Sequence, residues 1–119
     1  MFIKKDLLDK VGYFDEDYFF YGEDLDLCYC FKEAGYKIIY TPITKIIHYK
    51  GASSGIKSHS QHLSKASIDS KVKVIKESTR AMTLFYKKHY IDSYPKIINY
   101  TVLTAIWLIS KIRLLKIQL

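Results

Sequence analysis

Three carboxylates fall within four residues in Tyr21-Gly22-Glu23-Asp24-Leu25-Asp26-Leu27, and no other segment constrains this chain as much. Acids so close behind a glycine belong at a helix N-terminus, where unpaired N–H groups and the helix dipole favour negative charge. Leu27, Cys30, Phe31 and Ala34 then recur at i, i+3, i+4 and i+7, and Gly35 offers a left-handed exit. The spacing predicts a helix from about Glu23 to Ala34. The segment before it, Tyr13 to Gly22, mixes acids with Tyr13, Phe14, Tyr18, Phe19, Phe20 and Tyr21. That is too aromatic for a solvated linker and too irregular for a strand, so it reads as a partly buried functional loop.

Around this centre, Met1 to Ile3 reads as a strand stub and Lys4 to Val11 as a short helix stopped by Gly12. A start in the middle of a strand is expected of a truncated gene, an internal start or a split enzyme. Lys37 to Tyr40 and Lys45 to Tyr49 are β-branched runs separated by Thr41-Pro42, and both read as strands. Gly51 to Ser60 is a Gly/Ser-rich connection. Ser64 to His89 is helical in pattern, with Val72, Ile75, Thr79, Met82 and Tyr86 as its stripe, and Pro95 opens a last helix reaching nearly to Leu119. Two units are expected, residues 1–60 and 61–119.

Net charge is +7, yet eight of the twelve acids (Asp6, Asp9, Asp15, Glu16, Asp17, Glu23, Asp24 and Asp26) precede Leu27. Acid chemistry sits at the front and anion attraction at the back, where a nucleotide diphosphate or an anionic membrane surface would be drawn. A nucleic-acid partner is not expected, since no recognition motif accompanies the charge. No Walker loop, dinucleotide glycine fingerprint or paired CxxC pattern is present. Cys28 and Cys30 are two apart on the predicted helix, so their thiols diverge and read as buried groups in a reducing compartment. Ile97 to Ser110 carries no charge, and its 14 residues span about 21 Å as a helix, short of the roughly 30 Å hydrocarbon core. With Lys111, Arg113 and Lys116 following, the tail reads as a basic amphipathic helix in the membrane interface, or else packed on another lobe. The expected location is cytoplasmic, peripheral on the inner face of the cell membrane.

Five elements carry a resemblance: Val11-Gly12-Tyr13-Phe14-Asp15-Glu16, Tyr21-Gly22-Glu23-Asp24-Leu25-Asp26-Leu27, Ala34-Gly35, Tyr40-Thr41-Pro42 and Ile46-Ile47-His48, with Gly51 and Ser53 after the last. In this order and spacing they resemble the C-terminal half of family 2 glycosyltransferases, especially bacterial rhamnosyltransferase-like enzymes of cell-surface polysaccharide synthesis. Tyr13 stands where those enzymes usually have a second glycine. The resemblance implies an α/β (α+β) fold, the C-terminal part of a GT-A domain with short strands, followed by two C-terminal helices. It covers only the acceptor-binding half, so an upstream nucleotide-binding polypeptide is an expected partner.

In such enzymes an inverting transfer moves sugar from a nucleotide sugar to a glycan or lipid-linked acceptor. The resemblance makes Asp24 the base that takes the acceptor proton and Glu23 the residue that orients it or contacts the acceptor. Tyr21, Asp15 and Glu16 would contact the acceptor. His48 would help hold a divalent ion, Mn²⁺ or Mg²⁺, once the other half is present, and Lys57 could reach donor phosphate. Helix capping alone also accounts for Glu23 and Asp24. Asp24-Leu25-Asp26 looks like a metal motif, but helical residues two apart diverge by about 200°, so Asp26 is expected to be a structural hydrogen-bonding partner. The alternative to an enzyme is a non-catalytic membrane-surface binding module derived from one.

Overall fold

The computed structural model describes residues 1–43, 45, 47 and 67–118. Their order is α1 (Lys5–Val11), α2 (Glu23–Glu33), α3 (Ile68–His89) and α4 (Lys96–Gln118). All four lie within a few residues of the helices that periodicity and glycine placement predict.

Among the described residues neither Met1 to Ile3 nor Lys37 to Tyr40 forms its predicted strand, and the expected α/β (α+β) arrangement is corrected: these residues fold all-helically. Lys37 to Tyr40 has no regular structure, and Ile39 and Tyr40 are 79% and 90% exposed. Met1 to Ile3 is likewise irregular. A β-branched run becomes a strand only when a neighbour takes its N–H and C=O groups, and among the described residues none pairs with either segment. Most of the second predicted strand, Lys45 to Tyr49, is outside the described residues, as is the Gly51 to Ser60 connection.

α2 is fixed at both ends by glycine. At its exit Gly35 takes φ 84°, its N–H bonding the Lys32 carbonyl at 3.0 Å while the Tyr36 N–H bonds that of Phe31 at 2.9 Å. This is a Schellman closure, and the Phe31 and Tyr36 rings add its usual apolar contact at 6.0 Å. At its entrance Gly22 is left-handed, with φ 94°. A Cβ there would sit 3.0 Å from Cδ1 of the buried Tyr18 ring and 3.4 Å from Ala81 Cβ on α3. Gly22→Ala therefore combines left-handed strain with overpacking and is expected to cost about 2 kcal/mol or more. A lower urea midpoint at unchanged m-value would register that loss, and an unshifted midpoint would contradict it.

α3 and α4 form an antiparallel hairpin whose turn is held by one buried side chain. Asn99 Oδ1 accepts from the Tyr86 hydroxyl at 2.7 Å, and Nδ2 donates to the carbonyls of Ile91 and Tyr94 at 2.8 and 3.1 Å. Asn99→Leu would leave all three partners without it, at an expected cost of about 1–3 kcal/mol in thermal or urea unfolding. Equal stability of the two forms would show that the turn closes without this clamp.

α4 turns Asn99 and Ile106 inward, while Ile97, Tyr100, Trp107, Leu108, Ile112 and Leu115 point outward and are exposed. Lys96–Ile117 is long and apolar enough to cross a membrane by length and composition, with a mean hydropathy of 1.3 over its most apolar stretch. Its cations are spread lengthwise and not gathered on one face: Lys111 and Arg113 diverge by about 200°. The structure thus gives an apolar C-terminal helix with a basic end.

Candidate functional site

The strongest polar cluster is built around Asp26, on the inner face of α2. Its side chain is 3% exposed, so its charge survives only if donors surround it. Three do. Tyr18 donates its hydroxyl to Oδ1 at 3.1 Å, Lys88 its ammonium to Oδ2 at 2.8 Å, and His89 Nε2 lies 2.7 Å from Oδ1. An ionised carboxylate can only accept, so the proton between them belongs to His89 Nε2. Lys88 reaches further, to Asp15 Oδ2 at 2.6 Å, and the Asp17 N–H holds Asp15 Oδ1 at 2.9 Å.

Local sequence explains why these groups meet. Lys88 and His89 close the last turn of α3, where the Lys88 ammonium complements the helix dipole. Asp26 shares the buried side of α2 with Leu27 and Phe31. Tyr29 of α2 lies across the same α3 terminus, its ring 4.2 Å from His89 and 5.4 Å from Phe85. Lys88 and His89 thereby tie the aromatic loop and α2 to the helical hairpin.

The electrostatics follow from this geometry. Burial opposes the charge on Asp26, but hydrogen bonds from Lys88, His89 and Tyr18 outweigh it and hold the carboxyl below the usual range. Lys88 holds Asp15 down as well. Burial also works against the Lys88 ammonium, and its bonds to Asp15 and Asp26 more than compensate, raising it above the ordinary lysine value. Burial, then the bond to Asp26, raises the Tyr18 phenol; burial, then the Asp26 charge, raises the Cys30 thiol.

Asp26, Cys30 and His89 bring potential ligand atoms within 4.8 Å of one another. They fit a divalent cation poorly. Lys88 already places a positive charge 2.8 Å from Asp26, and the Cys30 thiol is pushed away from its metal-binding thiolate form. The cluster is a satisfied internal network.

The residues expected from sequence are distributed around it. Asp24 is exposed in the first turn of α2, its Oδ1 accepting from the Leu25 N–H at 2.8 Å. Glu23 is half-buried, and its Oε2 is enclosed with no hydrogen-bond partner among the described residues. Tyr21 is exposed and meets Phe20 edge-on at 4.8 Å, and Glu16 is exposed in the loop. Asp15, expected at the acceptor, is engaged by Lys88. Asp24 faces water and Asp26 the interior, so they do not converge on one ion. His48 and Lys57 lie outside the described residues. The sequence reading missed Lys88 and His89. The available signal was the buried acid itself, which required hydrogen-bond donors from some later element.

Comparison with known proteins gives one relationship. The chain is 36% identical over 55 residues to an N-acetylglucosaminyl-diphospho-decaprenol L-rhamnosyltransferase of Mycobacterium tuberculosis, in strain CDC 1551 / Oshkosh and equally in strain H37Rv. The matched stretch is 46% of this chain and 18% of each relative, so the chain spans under a fifth of the curated relatives it matches. No family model matches it, and no solved structure does. The similarity relates part of this chain, at a distance, to a glycosyltransferase.

Proposed function

We propose that this chain supplies the acceptor side of an inverting glycosyltransferase that moves a sugar from a nucleotide-activated donor to a glycan or lipid-linked acceptor. The observation that carries the reading is the exposed carboxylate of Asp24, presented in the first turn of a helix that the Asp26 network clamps in that same turn. The 36% identity to a rhamnosyltransferase supports it. Asp24 takes the proton of the acceptor hydroxyl as that oxygen bonds to the anomeric carbon. The bond from that carbon to the diphosphate oxygen breaks, and the nucleoside diphosphate leaves with the electron pair. Glu23 orients the base, while Tyr21 offers an aromatic face to the acceptor.

The donor is held by a nucleotide-binding polypeptide. A Mn²⁺ or Mg²⁺ ion there, to which His48 would contribute, offsets charge on the leaving group when bound. The test is donor turnover by this chain combined with such a polypeptide, with Asp24→Asn as the deciding variant. The exposed apolar side of α4 favours a second reading, a membrane-surface module without catalysis. Vesicle binding with no donor turnover in any combination would select it.

A further inference from the structure

An open groove of about 520 Å³ runs along α3, between α4 on one side and the Asp17 loop on the other. Lys76, Arg80 and Lys87 line it, spaced i, i+4 and i+11, so all three cations share one face of α3. Thr79 and Thr83 lie between them, but their hydroxyl protons are committed to the carbonyls of Ile75 and Thr79 at 2.8 and 2.9 Å. Among the described residues the free donors are thus the cations, with the Ser110 hydroxyl of α4 at the far wall. Opposing charge is modest. Among the described residues Asp17 is the one carboxylate lining the groove, and Glu77 reaches Arg80 only at 3.8 Å.

What flanks the groove decides what it can take. Ser110 faces into it, and the next residue, Lys111, lies over the exposed Trp107 ring at 5.5 Å on the outer side of α4. Within one helical turn the surface passes from a cationic groove to the exposed apolar row of Trp107, Leu108, Ile112 and Leu115. A free anion would use the first surface and leave the second bare. A molecule with phosphate at one end and a hydrocarbon chain at the other covers both.

We propose that this groove binds the phosphate or diphosphate group of a lipid whose chain lies along the outer face of α4. The proposal rests on the lipid-linked acceptor reading above and places the acceptor's anionic end on α3.

The test is co-sedimentation of the full chain with phosphatidylcholine vesicles containing a polyprenyl diphosphate, against vesicles of equal surface charge containing phosphatidylglycerol. The expected result is tighter binding to the diphosphate vesicles. The triple variant Lys76→Gln, Arg80→Gln, Lys87→Gln should lower that binding by on the order of 100-fold, about fivefold per cation, and abolish the preference. The triple variant Lys111→Gln, Arg113→Gln, Lys116→Gln should weaken binding to both vesicles alike and keep the preference. All six side chains are exposed, so circular dichroism should show unchanged helix content. Equal binding of the native chain to the two vesicle types would overturn the proposal. So would a preference that survives in the groove variant, or soluble pyrophosphate competing as well as the diphosphate lipid. No sugar donor is present, so the result is read independently of turnover at Asp24.

Discussion

Replacing Asp26 by alanine is expected to lower the stability of the fold by about 3 kcal/mol, the lower end of the cost of stripping one partner from a buried ion pair. The lower end applies because the Lys88 side chain is 35% exposed and can recover water, whereas His89 and Tyr18 are buried and cannot. The loss should depend on pH in a defined way. The Asp26 carboxyl is held below its ordinary value of 3.8, so its contribution is complete above 3.8 and disappears as pH falls through the lower folded-state value. Lys88 is held above its ordinary 10.5, so its contribution is complete below 10.5 and disappears as pH rises through the higher folded-state value. Between these limits the clamp is intact. Urea denaturation of native and Asp26→Ala chains across pH should therefore give a constant difference through the neutral range that narrows in acid and in strong base. A difference below about 1 kcal/mol, or one that stays flat into acid, would show that the cluster contributes little to the fold.

The contrast between what the sequence displayed and what it concealed follows the range of the interactions involved. Helices are written locally: the apolar spacing from Leu27 to Ala34 and the positive-φ requirement at Gly35 belong to one short segment, and the structure buries Leu27 and Phe31 and gives Gly35 its positive φ, while Ala34 is exposed. Strands are not written locally. Ile38, Ile39 and Tyr40 suit a pleated surface, but pairing needs a neighbour that no run of β-branched residues can provide for itself. The acidic edge at Glu23 and Asp24 was legible for the same local reason, as was the divergence of Asp24 from Asp26. The clamp was only half legible. Asp26 could be read as a hydrogen-bonding residue, while its partners Lys88 and His89 stand 62 and 63 residues away, a separation that periodicity cannot bridge. On α4, the charges of the tail read as a basic amphipathic helix, but stepping about 100° per residue puts Arg113 and Lys116 within about 60° of each other and Lys111 on the other side of the axis.

Asp24→Asn should reduce sugar transfer by at least about 10²- to 10⁴-fold, the usual contribution of a general base, when the chain is assayed with a nucleotide-binding polypeptide. The substitution separates two roles that one carboxylate could fill. As a capping group, Asp24 accepts the Leu25 N–H through Oδ1, and an asparagine oxygen accepts the same bond at nearly equal strength. What asparagine loses is its favourable charge at the helix N-terminus, worth about 0.3–1 kcal/mol at an exposed position, and its ability to take a proton. A purely structural Asp24 therefore predicts a small stability change and unaltered turnover. A base predicts the same small stability change with turnover nearly gone and acceptor binding retained, since the amide can still hydrogen-bond the hydroxyl that it cannot deprotonate. Asp26→Asn supplies the converse: unfolding should shift strongly, and any turnover lost should return in proportion to the folded fraction. Full turnover by Asp24→Asn would remove the carboxylate from the reaction, and with it the assignment of α2 as the edge that faces the acceptor.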